Sequence, residues 1–90
     1  MITVHLPIDL AGQFKMEAVL NTDAGDLRDL VAHLDRMRPG MAGWLVEADG
    51  RFRQHLSIFV SGRRLETRSP ASGRLDDGAD VWILRAVSGG

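Results

Sequence analysis

The sequence of 90 residues predicts an α+β domain, in which a mixed sheet of four to five strands packs on one main helix and a flexible C-terminal tail follows. Alternating apolar residues occur near both ends of the chain, one helical stripe lies between them, and turn signals separate these runs. Ninety residues suffice for a single hydrophobic core. We therefore expect one domain over residues 1–84 and a tail over 85–90.

The first two alternating runs predict a β-hairpin. Apolar residues alternate with other side chains over 2–8 and again over 13–20, which is the period of a half-buried strand. Pro7 indicates that the first strand ends nearby or lies at a sheet edge. The segment Asp9–Gly12 supplies the short, glycine-containing connection between the two strands.

The next segment has the period of a helix. Asp26 is placed to cap its N-terminus, and Asp29 follows three residues later as in a capping box. Arg36 and Arg38 suit the negative end of the helix dipole, and Pro39-Gly40 ends the helix. The apolar stripe consists of Leu27, Leu30, Val31, Leu34 and Met37.

The second half of the chain predicts three more strands. Residues 41–46 indicate one helical turn, and a chain reversal follows at Asp49-Gly50. A third strand is expected over 56–60, and Ser61-Gly62 forms a tight turn into a short fourth strand over 63–65. A loop and an Asp-Asp-Gly turn then lead into the last strand, Asp80–Leu84.

Both faces of this last strand are apolar, although a strand covered by a helix on one face should have a polar second face. We expect Val81 and Ile83 to point to the helix, which leaves Trp82 and Leu84 on the other face. Phe59 of the third strand alternates with Ile58 and Val60, so its side chain can lie on the same face as Trp82 and Leu84. Either these aromatic and aliphatic side chains form an exposed docking patch, or residues 41–55 fold over them and bury them.

Composition excludes several classes of protein. The net charge of −1, from 11 basic and 12 acidic residues, provides no bulk attraction to nucleic acid or membrane. No apolar run approaches the ~20 residues of a membrane-spanning helix, and no signal region is visible, so we expect a cytoplasmic protein. The absence of cysteine rules out disulfides, thiolate zinc sites and a cysteine nucleophile.

No residue pattern predicts an enzyme. His5, His33 and His55 lack metal-ligand spacing, and Asp76-Asp77 lies in a turn context. Neither a nucleophile elbow nor a phosphate-binding glycine loop is present. We therefore predict no catalytic residue, no metal ligand and no bound cofactor.

The sequence finishes at Gly89-Gly90, directly after the last predicted strand and a short exit segment. Because neither glycine has a Cβ atom, we expect this tail to thread into a narrow pocket and to leave its last carbonyl open to attack from both sides. Two glycines alone would also fit a frayed end. The residues that precede them favour the functional interpretation.

Taken together, these segments resemble the ThiS/MoaD family of ubiquitin-like β-grasp sulfur carriers over essentially the whole chain. The resemblance rests on the hydrophobic-Val-Ser-Gly turn at Ile58–Gly62 and on the ending Leu-Asp-Asp-Gly-Ala-Asp-Val-Trp-Ile-Leu-Arg-Ala-Val-Ser-Gly-Gly. Arg85 departs from the family pattern, since many members have proline there or next to it. Arginine should leave the tail less stiff and change which partner accepts it.

The resemblance implies a protein substrate rather than an enzyme. An E1-like partner that uses ATP and Mg would adenylate the carboxylate of Gly90, and a sulfur donor would convert it to a thiocarboxylate. Gly89 would let the tail enter the partner's channel. A sulfur-accepting synthase would then receive the sulfur, either a molybdopterin synthase large subunit, which this chain would complete as small subunit, or a cysteine-synthase-like enzyme. The product of the pathway would be molybdopterin, cysteine or another sulfur-containing metabolite.

The residues expected to contact these partners lie in the predicted patch and in the exit segment. They are Phe59, Trp82, Leu84, Arg85, Ala86, Val87 and Ser88. The alternative is a ubiquitin-like modifier, in which Gly90 forms an isopeptide bond, or a non-catalytic binding module that docks through its sheet face.

Overall fold

The computed structural model describes residues 1–69 and 73–85. Its strands form one five-stranded sheet in the order β2-β1-β5-β3-β4. The elements in chain order are β1 (Ile2–His5), α1 (Ile8–Gln13), β2 (Val19–Thr22), α2 (Leu27–Met37), α3 (Ala42–Leu45), β3 (Leu56–Val60), β4 (Arg63–Arg64) and β5 (Asp80–Arg85). Within the described ranges, no helix is long and apolar enough to cross a membrane.

The sheet is mixed, as predicted. Its first and last strands, β1 and β5, are parallel neighbours at the centre, and every other pairing is antiparallel. Their shared core side carries Val4 and Val81, which are paired in the register and fully buried. The predicted α+β fold class is confirmed, and β5 extends one residue beyond its predicted end to include Arg85.

Helix α2 forms as predicted, because its capping groups and its apolar stripe both favour a helix over the same residues. The Asp26 carboxylate accepts a hydrogen bond from the Asp29 backbone N–H at 2.7 Å, and the Asp29 carboxylate accepts one from the Gly25 N–H at 3.2 Å. The first bond satisfies a donor that a helix start otherwise leaves unpaired, and the second fixes the residue before the N-cap. The stripe contributes Leu27, Leu30, Val31 and Leu34 to the core.

The predicted hairpin is wrong in its connection. Strands β1 and β2 do pair in antiparallel fashion, but Ile8–Gln13 forms a short helix and β2 begins only at Val19. Leu10 is buried whereas Ile8 is 82% exposed, so the apolar residues that suggested strand alternation include one that faces solvent. Helix α1 begins at Ile8, and the carbonyl of the preceding N-cap residue, Pro7, accepts the Ala11 N–H at 2.9 Å.

The segment 41–55 belongs to the core on the helical side of the sheet. Helix α3 packs on α2, and Met41, Leu45 and Phe52 are at most 1% exposed. The predicted helical turn and the reversal at Gly50 are both present. This segment therefore fills the buried side of the domain and is not a cover for the opposite face.

The tight turn between β3 and β4 also forms as predicted. Ser61 and Gly62 both have positive φ, 48° and 85°. Two successive residues with positive φ match the right-handed twist of paired strands, and glycine reaches this conformation without strain. The turn brings Arg64 opposite Phe59 in the sheet register.

Candidate functional site

The face of the sheet opposite the helices carries a row of side chains that crosses all five strands. The register places one residue of each strand side by side, in the order Val19, His5, Trp82, Phe59 and Arg64. Their chain neighbours on β1, β5 and β3 are buried on the helical side, apart from Val60, which is half-buried. Because side chains alternate between faces along a strand, this row belongs to the open face.

Two large apolar side chains on this face are open to solvent. Trp82 is 42% exposed and Leu84 is 41% exposed, while Phe59 is half-buried. The question that the sequence left open is thereby answered, since the segment 41–55 does not bury them. We call Phe59, Trp82 and Leu84 the open-face patch.

The indole of Trp82 is held in one position by two neighbours. Its ring stacks on the imidazole of His5, with centroids 3.7 Å apart and planes 3° from parallel. Its Nε1–H donates a hydrogen bond to Asp80 Oδ2 at 2.9 Å. An exposed tryptophan with both a stacking partner and a hydrogen-bond acceptor loses little further freedom when a partner docks on it.

The carboxylate of Asp80 joins this arrangement into one unit. Its second oxygen, Oδ1, lies 2.8 Å from His5 Nε2, and because a carboxylate only accepts hydrogen bonds we assign the proton to that nitrogen. The hydrogen bond from His5, and after it the one from Trp82, lowers the pKa of Asp80 below its ordinary value of 3.8. We call His5, Asp80 and Trp82 the His-Asp-Trp unit.

The last described residue of β5 is tied to helix α1. The guanidinium of Arg85 forms an ion pair with the carboxylate of Asp9, in the first turn of that helix. Beside Arg85 lies a small depression lined by Pro7, Leu10 and Trp44. The root of the predicted tail is thus fixed by a strand on one side and by an ion pair on the other.

Comparison with known proteins places this fold in a family. No protein-family model matches the chain. A curated relative, small archaeal modifier protein 3 of Haloferax volcanii, is 31% identical over 68 residues, which cover 76% of this chain and 73% of the relative. The chain belongs to the ThiS/MoaD-like family of ubiquitin-like sulfur carriers and modifiers.

Solved structures of this family show the same fold. The crystal structure of Mycobacterium tuberculosis CysO superposes with a TM-score of 0.84 at 20% identity, covering 97% of this chain and all of that one. CysO in the Amycolatopsis orientalis BexX/CysO complex gives 0.83 at 18% identity, with both chains fully covered. SAMP1 from Haloferax volcanii gives 0.70 at 19% identity, over 99% and 98% of the two chains. At these identities the likeness establishes the β-grasp fold, as the sequence predicted.

Within this family fold, the structure brings the predicted patch residues together but describes only part of the predicted site. Phe59 and Trp82 are paired in the register, and Leu84 lies two residues further along β5. Ala86, Val87, Ser88, Gly89 and Gly90 lie outside the described residues. The roles assigned to these eight residues and to Arg85, as partner contacts or as the reactive terminus, stay predictions.

Sequence reasoning missed the contribution of His5 and Asp80. The sequence shows His5 only as a histidine without metal-ligand spacing, because its contact with Trp82 depends on the parallel pairing of β1 with β5. The available signal was the strand phase. His5 and Thr3 are two residues apart on β1 and so point to the same side of the sheet, as do Trp82 and Asp80 on β5. A parallel pairing of the two strands therefore brings all four side chains to one face.

Proposed function

We propose that this protein is a sulfur carrier whose Gly90 carboxylate is adenylated by an E1-like enzyme and then converted to a thiocarboxylate. The observation that carries the proposal is the family membership given by the 31% identical relative. The Gly89-Gly90 pair beyond β5 supports it, because a glycine carbonyl is accessible from both sides. The thiocarboxylate would donate its sulfur in a biosynthetic pathway.

The chemistry requires no side-chain thiol, which accounts for a carrier without cysteine. A carboxylate oxygen of Gly90 attacks the α-phosphorus of ATP, and Mg-bound pyrophosphate leaves. A sulfur nucleophile at the oxidation level of sulfide then attacks the acyl carbon, and AMP departs with the bonding electron pair. The partner enzyme supplies positioning and charge stabilisation in both steps.

The open-face patch is proposed as the surface that docks on the activating enzyme. Trp82 and Leu84 provide exposed apolar area, and the His-Asp-Trp unit holds the indole ready for contact. Aromatic anchors held in place before binding are the residues that dominate interface energies. Arg85 and residues 86–88 would then lead the reactive carboxylate into the active site of the partner.

A sulfur-accepting synthase is the second partner in this proposal. The Amycolatopsis CysO neighbour was crystallised in a complex with BexX, which supports the idea that carriers of this fold dock on a separate protein. For this chain we propose as acceptor either a molybdopterin synthase large subunit or a cysteine-synthase-like enzyme.

A ubiquitin-like modifier is the second candidate function. The observation that favours it is the name of the curated relative, a small archaeal modifier protein. In that function the activated Gly90 carbonyl would be attacked by a lysine amine of another protein instead of by sulfur. Both functions share the adenylation step and differ in the nucleophile that follows.

The intact mass of the protein tests both candidates. We would co-express the chain with an adenylating partner and a sulfur source, and expect a mass increase equal to one oxygen replaced by sulfur. Deletion of Gly90 should abolish this increase, whereas the matched surface variant Arg63→Ala, on the edge strand β4, should retain it. Ligation to lysines of other proteins would favour the modifier instead. An unchanged mass with every E1-like partner would overturn the proposal.

A further inference from the structure

Both tryptophans of this chain are exposed, which is uncommon for so large an apolar side chain. Trp44 is 44% and Trp82 is 42% exposed, whereas tryptophan is highly buried on average. The indole N–H of Trp82 already donates a hydrogen bond to Asp80. The indole N–H of Trp44 has no hydrogen-bond partner among residues 1–69 and 73–85. Trp44 is therefore an exposed aromatic side chain with a donor still available to another molecule.

The two tryptophans flank the start of the tail on opposite sides of the sheet. Arg85 lies two residues beyond the buried Ile83, so its side chain is on the helical side, where it lines the small depression together with Trp44. Trp82 and Leu84 lie on the open face of the same strand. The chain thus leaves the sheet between one exposed tryptophan on each side.

A second exposed apolar side chain, Ile8, lies beside this depression. It is 82% exposed and follows Pro7, which lines the depression, while the next residue, Asp9, pairs with Arg85. Neither Ile8 nor Trp44 belongs to the hydrophobic core cluster. We call Ile8 and Trp44 the end patch.

The surroundings of the end patch suit a protein surface better than a small ligand. The depression has a volume of about 20 Å³, which is room for about one water molecule. Pockets that bind small molecules measure roughly 300 Å³ or more. The charges beside the end patch, those of Arg85 and Asp9, neutralise each other as an ion pair. What the end patch offers is exposed apolar area, which is typical of protein contacts.

The length of the tail determines which protein surface can face the end patch. Under the proposed function, the carboxylate of Gly90 must reach ATP in the active site of the activating enzyme. Residues 86–90 number five and span at most about 18 Å when fully extended. The entrance to that active site must therefore lie within this distance of Arg85, and any length of tail inside the entrance brings it closer.

We propose that the end patch contacts the rim of the active-site entrance of the activating enzyme, on the opposite side of the tail from the open-face patch. The inference rests on the proposed function, because it takes Gly90 as the carboxyl that is adenylated. The rim that fits the end patch is apolar and offers a hydrogen-bond acceptor, such as a backbone carbonyl, to Trp44 Nε1–H. Trp44 and Trp82 then hold the carrier on both sides of the entrance.

The test measures adenylation by an E1-like enzyme that accepts the natural chain, with KM and kcat taken from the release of pyrophosphate. The variants are Trp44→Ala, Trp44→Phe and Ile8→Gln, and the matched control is Met37→Ala. Met37 is 38% exposed, close to the value for Trp44, but it lines a separate groove beside β2. Because Ile8 is 82% exposed, its replacement leaves the core intact, and urea denaturation checks that every variant is folded.

We expect Trp44→Ala to raise KM about tenfold or more, because an aromatic anchor is lost, and to leave kcat within roughly twofold of the natural value. Trp44→Phe and Ile8→Gln should raise KM by smaller factors, and Met37→Ala should leave it unchanged. An unchanged KM for both Trp44→Ala and Ile8→Gln would overturn the inference and leave the proposed function standing.

An equal rise of KM in Met37→Ala would also overturn the inference, since any loss of exposed apolar area would then have the same effect. If no E1-like enzyme adenylated the natural chain, the proposed function itself would fail and the contact at the end patch with it. The natural chain therefore tests the function, and the variants test the end patch.

Discussion

The two faces of strand β5 differ in how far their side chains are exposed to solvent. On the helical face Val81 and Ile83 are at most 1% exposed, whereas on the open face Trp82 and Leu84 are 42% and 41% exposed. All four are large apolar side chains on consecutive residues. Burial is therefore decided by strand phase and by what covers each face, and not by residue type.

The two faces are also organised by different forces. The helical face is stabilised by burial of apolar area against α2 and the segment 41–55. On the open face Trp82 is fixed by contacts within the sheet, to His5 and Asp80, and no element of the described residues covers it. One face therefore provides the stability of the fold, and the other presents an ordered apolar surface to solvent.

The largest expected loss of stability comes from truncation on the helical face. Ile83→Ala removes a fully buried side chain and leaves a cavity, so we expect the free energy of unfolding to fall by about 2–5 kcal/mol. Leu84→Ala, the neighbouring open-face truncation, should cost less than about 1 kcal/mol. Urea denaturation of both variants measures the difference. Similar losses would show that the open face is as important to stability as the core.

A second variant tests how tightly the helical side is packed. A Cβ atom at Gly73 would lie 2.1 Å from Leu27 Cδ1 and 2.6 Å from its Cγ, and Leu27 is fully buried. We expect Gly73→Ala to destabilise the protein by about 1–3 kcal/mol, because Leu27 has little room to move. Gly12→Ala is the matched control, since it meets no atom within 4 Å and lies in a helix where alanine is favoured. If Gly73→Ala left the free energy of unfolding unchanged, Leu27 and its neighbours around α2 would have room to move.

Much of the fold could be predicted because its elements are determined by short stretches of sequence. Helix α2 carries its own cap at Asp26 and its own apolar stripe; the cap forms and four of the five predicted stripe residues are buried, whereas Met37, at the end of the helix, is 38% exposed. The phase of β5 likewise predicted which residues face the helix. The short helix α1 was missed because six residues include only two buried ones, and the exposed Ile8 completed an alternation that a strand would also show.

The candidate site was predicted less completely, for a physical reason. The contact between His5 and Trp82 depends on how strands β1 and β5 are aligned in the sheet. These strands are far apart in the sequence: His5 and its hydrogen-bond partner Asp80 are separated by 75 residues. No local pattern encodes such a register. Phe59, Trp82 and Leu84 were nevertheless found, since their apolar character on a second strand face is visible in the sequence alone.

On the open face, Trp82→Ala should separate recognition from stability. We expect a loss of about 0.5–1.5 kcal/mol in the free energy of unfolding, from the stacking on His5 and the hydrogen bond to Asp80. Adenylation by an E1-like partner should show a KM raised about tenfold or more, because an aromatic anchor is lost. His5→Ala is the control that removes the stack but keeps the indole. A loss of stability as large as that of Ile83→Ala would place Trp82 in the core instead.

The His-Asp-Trp unit should also respond to acid. Because the folded-state pKa of Asp80 is lowered, its carboxylate contributes stability that is present above its ordinary pKa of 3.8 and is lost as the pH falls through the lower folded-state value. The stability difference between the natural protein and Asp80→Asn should therefore be constant near neutral pH and shrink below about pH 4. Denaturation at several pH values measures it. A difference that grows on acidification would contradict the assigned sign.

The smallest effect is expected where the open face meets the tail. The ion pair between Arg85 and Asp9 joins side chains that are 48% and 60% exposed, and solvent and salt screen such a pair. Arg85→Ala should therefore change the free energy of unfolding by less than about 1 kcal/mol, and a double-mutant cycle with Asp9→Ala should give a coupling free energy that disappears in high salt.

The same variant should lower the efficiency of adenylation, since the ion pair fixes the start of the segment that carries Gly90. If the coupling is small but adenylation falls, Arg85 orients the tail. If adenylation is unchanged, the strand alone directs the carboxylate to the partner.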